Sequence, residues 1–431
     1  MQITIDKIIY PGRSIAKPEG KIIFTDNGLP GETVEVEVIK EKKNYIDAKT
    51  LKILFPSAHR IQPRCAHHMV CSPYQHIDYP LQVEIKKAQI EEIFGHQLKI
   101  EPGALAFRAS ENIWRYRNKI QLRVVWKSGV PALAYNLPRS HDQYEPVDMC
   151  YLASVAVNGV LRLVTTAIAD NKLECVREVA VRENADTTEL LVEFYCHSIK
   201  NVEYLSATIG ALHAALLDRF PVRGIVCIER KTSRRLFVRG EDSINESVAG
   251  KIFCIGPGSF FQINVPMLER LIDDLKASIL PGPDTIIADL YCGIGTFGVI
   301  LAPHVRKVIG VESSKESVVF LKRNLERNNT KNFSILKGDC KKKIAGALKG
   351  PVDTVIVDPP RRGLDAEVTA GILKSLPPLV AYISCDPATL VRDLKTLLPA
   401  YTLKHLYAYD FFPQTPHIET LTVLQKKSHS A

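Results

Sequence analysis

The chain has 431 residues, 46% hydrophobic and 24% charged, a globular composition that predicts two or three domains. Asp6 and Lys7 lie where a signal peptide would be apolar, so secretion is not predicted. The nearly apolar stretch 285–302 contains Asp289 and three glycines, so a membrane span is not predicted either. Ten scattered cysteines favour a reducing cytoplasm over a disulfide framework, and the net charge of +9 only weakly favours a polyanionic partner.

The first 56 residues are predicted to form a small β-barrel. In GETVEVEVIKEKK (31–43) valines alternate with charged residues, the period of a half-buried strand, and turn signals surround this segment. Lys40, Lys42 and Lys43 lie in or beside the strand. They are either part of a solvated surface or a face that contacts phosphates.

The segment 57–258 is predicted to be a strand-rich central domain. RCAHHMVCSPY (64–74) groups two cysteines with two histidines, and the next segment predicts a helix from Tyr79 to Gly95. RYRNKIQLRVVWKSGVPALAY (115–135) predicts a basic hairpin that turns at Ser128 and Gly129.

From about residue 281 short apolar runs alternate with helical patterns, which predicts an α/β, doubly wound and mostly parallel sheet over 259–431. DLYCGIGTFG (289–298) is a glycine-bearing turn between strand and helix, and the second strand ends in Glu312. This order suits a nucleoside cofactor, whose ribose hydroxyls an acidic residue would bind. The six-residue dinucleotide signature is missing, so S-adenosylmethionine is favoured over NAD; a purely structural turn is the alternative.

Two further segments are predicted to end strands at the same sheet edge. DPPRRG (358–363) has an acidic residue followed by two prolines, which predicts a rigid loop. Arg361 stands where amino-methyltransferases of nucleic acids carry an aromatic residue. Cys385 precedes the helical pattern ATLVRDLKTLL, so it is either an inert core thiol or a thiolate favoured by a helix amino terminus. A thiolate would add to carbon 6 of uracil and activate carbon 5, and Glu419 or His417 would then remove the carbon 5 proton.

ISCDPATLVRD (383–393) resembles the cysteine motif of the RNA uracil-5-methyltransferase family. SFFQIN, DLYCGIGTFG, VIVDPPRRGL and DFFPQTPHIET extend the resemblance, and the amino-terminal segment is similar to a TRAM domain. The resemblance implies that Cys385 is the nucleophile, Glu419 the base and Phe260 a neighbour of the target base. It also implies a methyl-donor site for S-adenosyl-L-methionine lined by Gln262, Tyr291, Thr296, Glu312, Asp339 and Asp358.

The chain departs from the family in two places. Asp386 replaces the usual asparagine after the nucleophile, which adds a negative charge that would raise the pKa of the thiol. Many relatives hold a [4Fe-4S] cluster with four cysteines; Cys65, Cys71 and Cys150 match, but Tyr74 occupies the remaining position. Either a histidine (His67, His68 or His76) completes the cluster site or no cluster is bound.

The sequence therefore predicts methylation of carbon 5 of a uridine in structured RNA by a cytoplasmic enzyme, with a monomer favoured. The resemblance favours 23S rRNA, because the bacterial branch that modifies tRNA generally lacks the barrel. Methylation of uridine 54 of tRNA is the alternative, since archaeal relatives with a barrel act on tRNA. Methylation of an amino group of a base and non-catalytic RNA binding are more distant alternatives.

Overall fold

The computed structural model describes residues 1–100, 104–137, 140, 142–197, 199 and 201–428. Its helices are α1 (His68–Cys71), α2 (Tyr79–Leu98), α3 (Val155–Asp170), α4 (Val202–Leu217), α5 (Val265–Ile279), α6 (Thr296–Leu301), α7 (Lys315–Arg327), α8 (Cys340–Ala347), α9 (Ala366–Ser375) and α10 (Pro387–Leu397), with 3-10 turns at Pro18–Gly20 and Ala302–His304. The strands are β1 (Gln2–Thr4), β2 (Lys7–Ile9), β3 (Arg13–Ala16), β4 (Ile22–Thr25), β5 (Thr33–Glu41), β6 (Tyr45–Phe55), β7 (Leu105–Arg108), β8 (Lys119–Lys127), β9 (Val130–Asn136), β10 (Tyr144–Pro146), β11 (Val176–Glu183), β12 (Leu190–Cys196), β13 (Val222–Glu229), β14 (Arg234–Gly240), β15 (Ile244–Val248), β16 (Lys251–Ile255), β17 (Ile286–Leu290), β18 (Lys307–Glu312), β19 (Phe333–Lys337), β20 (Thr354–Val357), β21 (Leu379–Ser384), β22 (Tyr401–Tyr409) and β23 (Glu419–Lys426).

The chain divides into two compact units. The first unit comprises Met1–Ile113 and Tyr407–Glu419, and the second comprises Trp114–Leu406 and Thr420–Ala431. A segment close to the carboxyl terminus of the chain therefore folds with its amino-terminal part.

The first unit contains the predicted strands of the amino-terminal segment. Six strands form one sheet in the order β1-β5-β6-β4-β3-β2, and the valine-rich segment predicted as a strand is β5. Its inward side chains, among them Val34 and Val36, pack with Ile3, Ile23 and Ile46 in a small apolar core. Alternation along β5 thus produces a strand that is buried on one face as far as Val36, whereas Val38 is 44% exposed.

Helix α2 follows in the same unit and differs from its prediction in length. The side chain of Asp78 caps its amino terminus by accepting a hydrogen bond from the Leu81 N–H. The helix continues past Gly95 to Leu98, where Lys99 ends it in the left-handed conformation and donates its N–H to the Gly95 carbonyl. A glycine inside a helix costs only about 1 kcal/mol relative to alanine, so Gly95 was a weak stop signal.

The second unit begins with a seven-stranded sheet in the order β10-β9-β8-β11-β12-β13-β14. The predicted basic hairpin is confirmed as β8 and β9, with Lys127 opposite Val130 across the turn. One face of this sheet packs against α3 and α4 around buried residues such as Val160, Val181 and Ile209.

The same unit contains the predicted parallel sheet, in which β19, β18, β17, β20 and β21 are parallel neighbours in that order and β23 joins β21 antiparallel. Helices α6 to α10 each follow one of the parallel strands in the chain. The strand order reverses between β17 and β20, and open α/β sheets bind ligands at such a switch point, beyond the carboxyl ends of the strands. No helix within the described residues is long and apolar enough to cross a membrane.

Candidate active site

Most of the site residues predicted from the sequence lie at the carboxyl edge of the parallel sheet. Leu290 at the end of β17 pairs with Val311 of β18 and Val357 of β20, and Val357 pairs with Tyr382 of β21. Because these strands are parallel and in register, the residues at or just beyond their ends share one edge. Those residues are Tyr291, Glu312, Asp339, Asp358 and Cys385.

The turn after β17 has a backbone that two glycines make possible. Tyr291, Gly293 and Gly295 have φ angles of 62°, 56° and 88°, all in the left-handed region. A Cβ atom on Gly295 would lie 2.4 Å from Leu321 Cδ1, whereas one on Gly293 would meet nothing within 4 Å. Gly295 is therefore required for packing as well as for its conformation, and Gly293 faces open space at the sheet edge.

Glu312 fastens this turn to β18. The Gly293 N–H donates to Glu312 Oε2 at 2.9 Å, and the Ser314 N–H donates to Oε1 at 2.5 Å. The Ser313 hydroxyl also donates to Oε1, at 3.4 Å. A carboxylate oxygen can accept about two hydrogen bonds, so Oε2 retains capacity for a hydroxyl of a ribose. This geometry fits the predicted role of Glu312.

Asp289 is a residue of the site that the sequence argument did not single out. It is 1% exposed; its Oδ2 accepts from the Gly298 N–H at 3.0 Å, and its Oδ1 has no hydrogen-bond partner among the described residues. Burial, with Asp358 and Glu312 nearby, raises the pKa of Asp289 to about 8. Burial also raises the pKa of Asp358. A carboxyl at the penultimate position of an apolar strand was the available signal.

The other residues predicted to bind the methyl donor flank this turn. Tyr291 has a buried hydroxyl without a hydrogen-bond partner in the described part of the chain, and burial raises its pKa. Thr296 is the first residue of α6, and Asp339 caps α8 by accepting from the Lys341 N–H. An orphaned buried hydroxyl, an orphaned carboxylate oxygen and an open glycine face together fit a polar nucleoside ligand.

The segment SFFQIN places two predicted residues differently. Phe260 is 64% exposed, while Gln262 is 8% exposed and its carbonyl accepts from the Asn118 side-chain amide at 3.2 Å. Between them, Phe261 packs against Phe253 with ring centroids 6.0 Å apart. The buried neighbours hold Phe260 outward, which suits a residue that stacks on a base.

Cys385 lies between β21 and α10. Asp386 caps this helix: its Oδ1 accepts from the Ala388 and Thr389 N–H groups, each at 3.0 Å. The charge that was expected to act on the thiol is therefore engaged by the helix amino terminus. Thr420 of β23 donates to the Ser384 carbonyl at 3.1 Å, which fixes the strand end next to the thiol.

Helix α10 also holds the DPPRRG loop, through residues that the sequence argument did not assign. Thr389 donates to the Arg361 carbonyl at 3.1 Å, and Arg392 donates to the Arg362 carbonyl at 2.8 Å. Asp393 Oδ2 accepts from the Leu364 N–H and the Tyr382 hydroxyl, both at 2.8 Å. The charged residues of TLVRD thus position the loop that carries Asp358, and only the tertiary structure shows this.

Glu419 and His417 belong to the first unit. Glu419 is 2% exposed and is the first residue of β23. The ring of His417 packs edge-on against Phe412, with ring centroids 6.0 Å apart. Both residues lie at the end of the segment Tyr407–Glu419 of that unit.

The cysteine loop of the first unit does not fit a metal cluster. Tyr74 is 2% exposed, and its hydroxyl accepts from Gln89 at 3.3 Å. Gln75 donates to Cys65 Sγ at 3.3 Å and to the Ser72 hydroxyl at 2.7 Å. Within the described residues, no group of three or more histidine, cysteine or acidic side chains is arranged to hold a metal ion.

Two other candidate ligands, Cys150 and His76, have different surroundings. Cys150 belongs to the second unit, where its N–H donates to Asn158 at 2.7 Å. His76 is 5% exposed, and burial lowers its pKa to about 3. The described ranges include all ten cysteines, and none of them forms a disulfide.

Comparisons with known proteins bear on this site. Residues 78–427 match the model of the tRNA (uracil-5-)-methyltransferase family, and residues 1–51 match that of the TRAM domain. An uncharacterized RNA methyltransferase of Listeria innocua is 31% identical, with 99% of this chain and 98% of the relative aligned. Another, from Halalkalibacterium halodurans, is 30% identical, with 99% of this chain and 97% of the relative aligned.

A solved structure shares the fold. The tRNA (uracil-54, C5)-methyltransferase of Pyrococcus abyssi, in complex with S-adenosyl-L-homocysteine, matches with a TM-score of 0.78 and 24% identity over 98% of this chain and all of that one. The expected α/β methyltransferase fold with its amino-terminal TRAM domain is confirmed. The family match spans most of the chain, so this protein belongs to the tRNA (uracil-5-)-methyltransferase family of RNA methyltransferases.

Proposed function

We propose that this protein methylates carbon 5 of a specific uridine in structured RNA, with S-adenosyl-L-methionine as methyl donor and a covalent adduct at Cys385. The observation that carries the proposal is the position of Cys385, between β21 and α10, on the sheet edge that also holds Tyr291, Glu312 and Asp358. A nucleophile beside a nucleoside site is what the reaction requires, because carbon 5 of uracil is unreactive until carbon 6 is attacked.

The donor site is assigned to the residues around the glycine turn. S-adenosyl-L-methionine, when bound, supplies an electrophilic methyl group on a sulfonium. Glu312 would accept hydrogen bonds from the ribose, and the open face at Gly293 would admit the ligand close to the backbone. Gln262, Thr296, Asp339 and Asp358 complete the proposed lining, with Tyr291.

The chemical steps assign separate tasks to the two catalytic residues. The Cys385 thiolate forms a bond to carbon 6, and the electron pair displaced from the ring double bond gives an enolate. Carbon 5 then takes the methyl group and keeps its proton until the Glu419 carboxylate removes it. Loss of that proton restores the double bond and breaks the bond between sulfur and carbon 6, which frees the thiolate. Phe260 would stack on the target base.

Asp386 is expected to affect this nucleophile less than its charge suggests. Its Oδ1 accepts two backbone N–H groups at the start of α10, and the helix amino terminus favours negative charge. Asparagine offers the same oxygen acceptor. The residue therefore serves as a helix cap that the family's usual side chain would also supply.

The substrate we propose is 23S rRNA. The TRAM domain match and the net charge of +9 support binding to a structured RNA. By the family resemblance, the barrel favours rRNA over the bacterial tRNA branch. Uridine 54 of tRNA is the second candidate, because the Pyrococcus abyssi enzyme of the same fold carries that activity in its name. In the domain assignment we propose, 1–56 and 57–258 bind RNA and 259–431 carries out the methylation.

The experiment is a map of 5-methyluridine in total RNA. Cells that lack the protein are compared with cells that carry the parent or the Cys385→Ala variant. We expect one position in 23S rRNA to lose 5-methyluridine and only the parent protein to restore it. Loss at position 54 of tRNA would instead assign the second candidate. Unchanged 5-methyluridine, with another methylated base lost, would overturn the proposed chemistry.

A further inference from the structure

Helix α2 buries a row of polar side chains where a helix of this kind would normally bury apolar ones. Gln82, Lys86 and Gln89 are each 3% exposed or less. Their spacing of four and three residues places them on one face of the helix. Burying such groups is costly unless each finds a specific partner, so their partners indicate what this face is for. We call these three residues the polar row.

Two members of the polar row, Gln82 and Lys86, contact the segment 410–419, which we call the Glu419 loop, whereas Gln89 donates to the Ile8 carbonyl and the Tyr74 hydroxyl. Lys86 Nζ donates to Asp410 Oδ1 at 2.6 Å and to the Phe412 carbonyl at 3.2 Å. Gln82 and Gln414 bond reciprocally: Gln82 Nε2 donates to Gln414 Oε1, and the Gln414 N–H donates to Gln82 Oε1, both at 2.9 Å. Both partners of each hydrogen bond belong to the first unit.

The Glu419 loop depends on these hydrogen bonds for its conformation. Residues 410–418 form no helix or strand, and Gln414 has a φ of 68°, in the left-handed region that a side chain of this kind rarely adopts. The Tyr74 N–H donates to the Gln414 carbonyl at 3.0 Å, so this residue is held on both sides. A Cβ on Gly12 would lie 3.0 Å from Pro416 Cβ, which shows how closely the barrel approaches the loop.

The buried pair of Lys86 and Asp410 contributes to specificity more than to stability. Both side chains are fully buried, and burial lowers the pKa of Lys86 although Asp410 acts to raise it. Pairs of this kind add little net stability, because desolvation offsets the attraction, but they strongly disfavour any arrangement that separates the charges. The pair thus disfavours loop conformations that separate these two charges, at a position nine residues before Glu419.

We propose that Gln82 and Lys86 are positioning residues that set the orientation of Glu419 and thereby control release of the methylated RNA. This inference rests on the proposed role of Glu419 as the base that removes the carbon 5 proton. Addition of Cys385 and methyl transfer precede that step and do not require Glu419. Loosening the loop should therefore slow elimination selectively, rather than slow the whole reaction.

The test follows methyl transfer and RNA release separately in a single turnover with a labelled methyl donor. Gln82→Met keeps the length of the side chain and introduces no charge without a partner, whereas Lys86→Met removes the ion pair. Lys87→Met is the matched control, since Lys87 is exposed on the same helix and makes only a 3.9 Å pair with Glu91. Glu419→Gln is the reference for a missing base.

We expect the rate of methyl transfer in Gln82→Met and Lys86→Met to stay within about twofold of the parent, because neither residue acts before that step. The rate of RNA release should fall on the order of tenfold, because a small displacement of a catalytic base slows proton removal. The methylated protein–RNA adduct should then accumulate on denaturing gels, as in Glu419→Gln and unlike Lys87→Met. If Lys86→Met fails to fold, the comparison with the parent is made with Gln82→Met alone.

Three results would overturn the inference. Equal slowing of transfer and release in Gln82→Met would show a purely structural role. Accumulation of adduct in Glu419→Gln but not in Gln82→Met would reject positioning alone and leave the proposed function intact. Normal release in Glu419→Gln would show that Glu419 is not the base, and the positioning role of Gln82 and Lys86 would then be wrong as well.

Discussion

At the scale of single residues, the site combines a thiol beside a helix amino terminus with acidic groups whose surroundings differ. Asp386 and Glu312 accept backbone N–H groups, which stabilise a carboxylate. Asp289 is buried with one such bond and two acidic neighbours, so its neutral form is favoured at physiological pH.

Substitutions of the two proposed catalytic residues should block the reaction at different steps. Cys385→Ala should bind RNA yet form no adduct and no product, because carbon 5 is not activated without sulfur at carbon 6. Glu419→Gln should add and methylate, and then stall as a covalent protein–RNA species. Denaturing gel electrophoresis with labelled RNA distinguishes these outcomes.

Cys385→Ser serves as the conservative control and should also form no product, since a hydroxyl is the weaker nucleophile. Release at the parent rate in Glu419→Gln would transfer the role of base to His417, and His417→Ala would then trap the adduct. An active Cys385→Ala variant would contradict the covalent mechanism.

Asp289 should make the free energy of unfolding depend on pH. Its pKa of about 8 in the folded chain exceeds the value of about 3.9 for an unfolded aspartate. Between these values the native state holds a proton that the unfolded state has released, so this contribution to stability falls as pH rises. Asp289→Asn keeps an oxygen for the Gly298 N–H and cannot ionise.

The stability of Asp289→Asn relative to the parent should therefore increase from pH 5 to pH 8. Urea unfolding of both proteins at the two pH values measures the difference. A difference that stays constant across this range would show that Asp289 is ionised in the folded chain.

At the scale of elements, α10 connects two parts of the site. Its first turn is capped by Asp386 next to the nucleophile, and its second turn holds the DPPRRG loop through Arg392 and Asp393. A single helix therefore links the position of Cys385 with that of Asp358. Neither apolar periodicity nor capping signals reveal this connection, since it is made by charged side chains.

Replacing Asp393 should destabilise the second unit and weaken binding of the methyl donor. Asp393 is 5% exposed and accepts hydrogen bonds from the Leu364 N–H, the Tyr382 hydroxyl and the exposed Arg392. Asp393→Ala therefore leaves two buried donors, of Leu364 and Tyr382, without this acceptor. We expect a loss of about 2–4 kcal/mol in the free energy of unfolding. Tyr382→Phe removes one of these bonds and should cost about 1 kcal/mol.

Chemical denaturation and calorimetric titration with the methyl donor provide the two measurements. Glu367→Ala, at an exposed acidic residue of α9, is the control and should change stability by less than about 0.5 kcal/mol. Equal stability of Asp393→Ala and the parent would contradict the assigned hydrogen bonds.

The cysteine loop should fold without iron. Gln75 already bonds to Cys65 Sγ and to Ser72, and Tyr74 fills the position of a family cysteine with a buried ring. Protein purified without oxygen should therefore be colourless and contain no stoichiometric iron or sulfide, and Cys71→Ser should retain the parent activity. Stoichiometric iron that disappears in Cys71→Ser would contradict this prediction and indicate a histidine ligand.

At the scale of the whole molecule, a TRAM domain and a family domain of RNA methyltransferases share one chain with a net charge of +9. Lys40, Lys42 and Lys43 are exposed at the end of β5 and in the turn that follows. The binding of phosphates by such a cluster depends on salt, because each neutralised phosphate releases counterions.

Neutralising Lys40, Lys42 and Lys43 together should weaken RNA binding and flatten its salt dependence, by roughly 0.7–0.9 in the logarithmic slope for each phosphate that these lysines no longer neutralise. Turnover on saturating RNA should change little. Binding titrations from low to high salt measure the slope. A triple variant at Lys322, Lys349 and Lys374, exposed in the second unit, controls for net charge alone. An unaltered slope would show that the barrel lysines do not bind phosphates.

The parallel sheet, the half-buried strands and the residues at the strand ends could be predicted from the sequence. Each of these depends on local rules: alternation and apolar runs produce β5 and β17, and a strand end places its next side chain at the sheet edge. The motif around Cys385 could also be recognised in the sequence as similar to that of the RNA uracil-5-methyltransferase family, because the motif is contiguous.

The contacts between residues far apart in the chain could not be predicted in this way. Gln82 and Gln414 are 332 positions apart, and no periodicity predicts that a helix near the start of the chain holds a loop near its end. The same holds for Asp393 and the Leu364 N–H, which are 29 positions apart. Such pairings follow from the need of buried polar groups for partners, and the fold alone determines which partners are within reach.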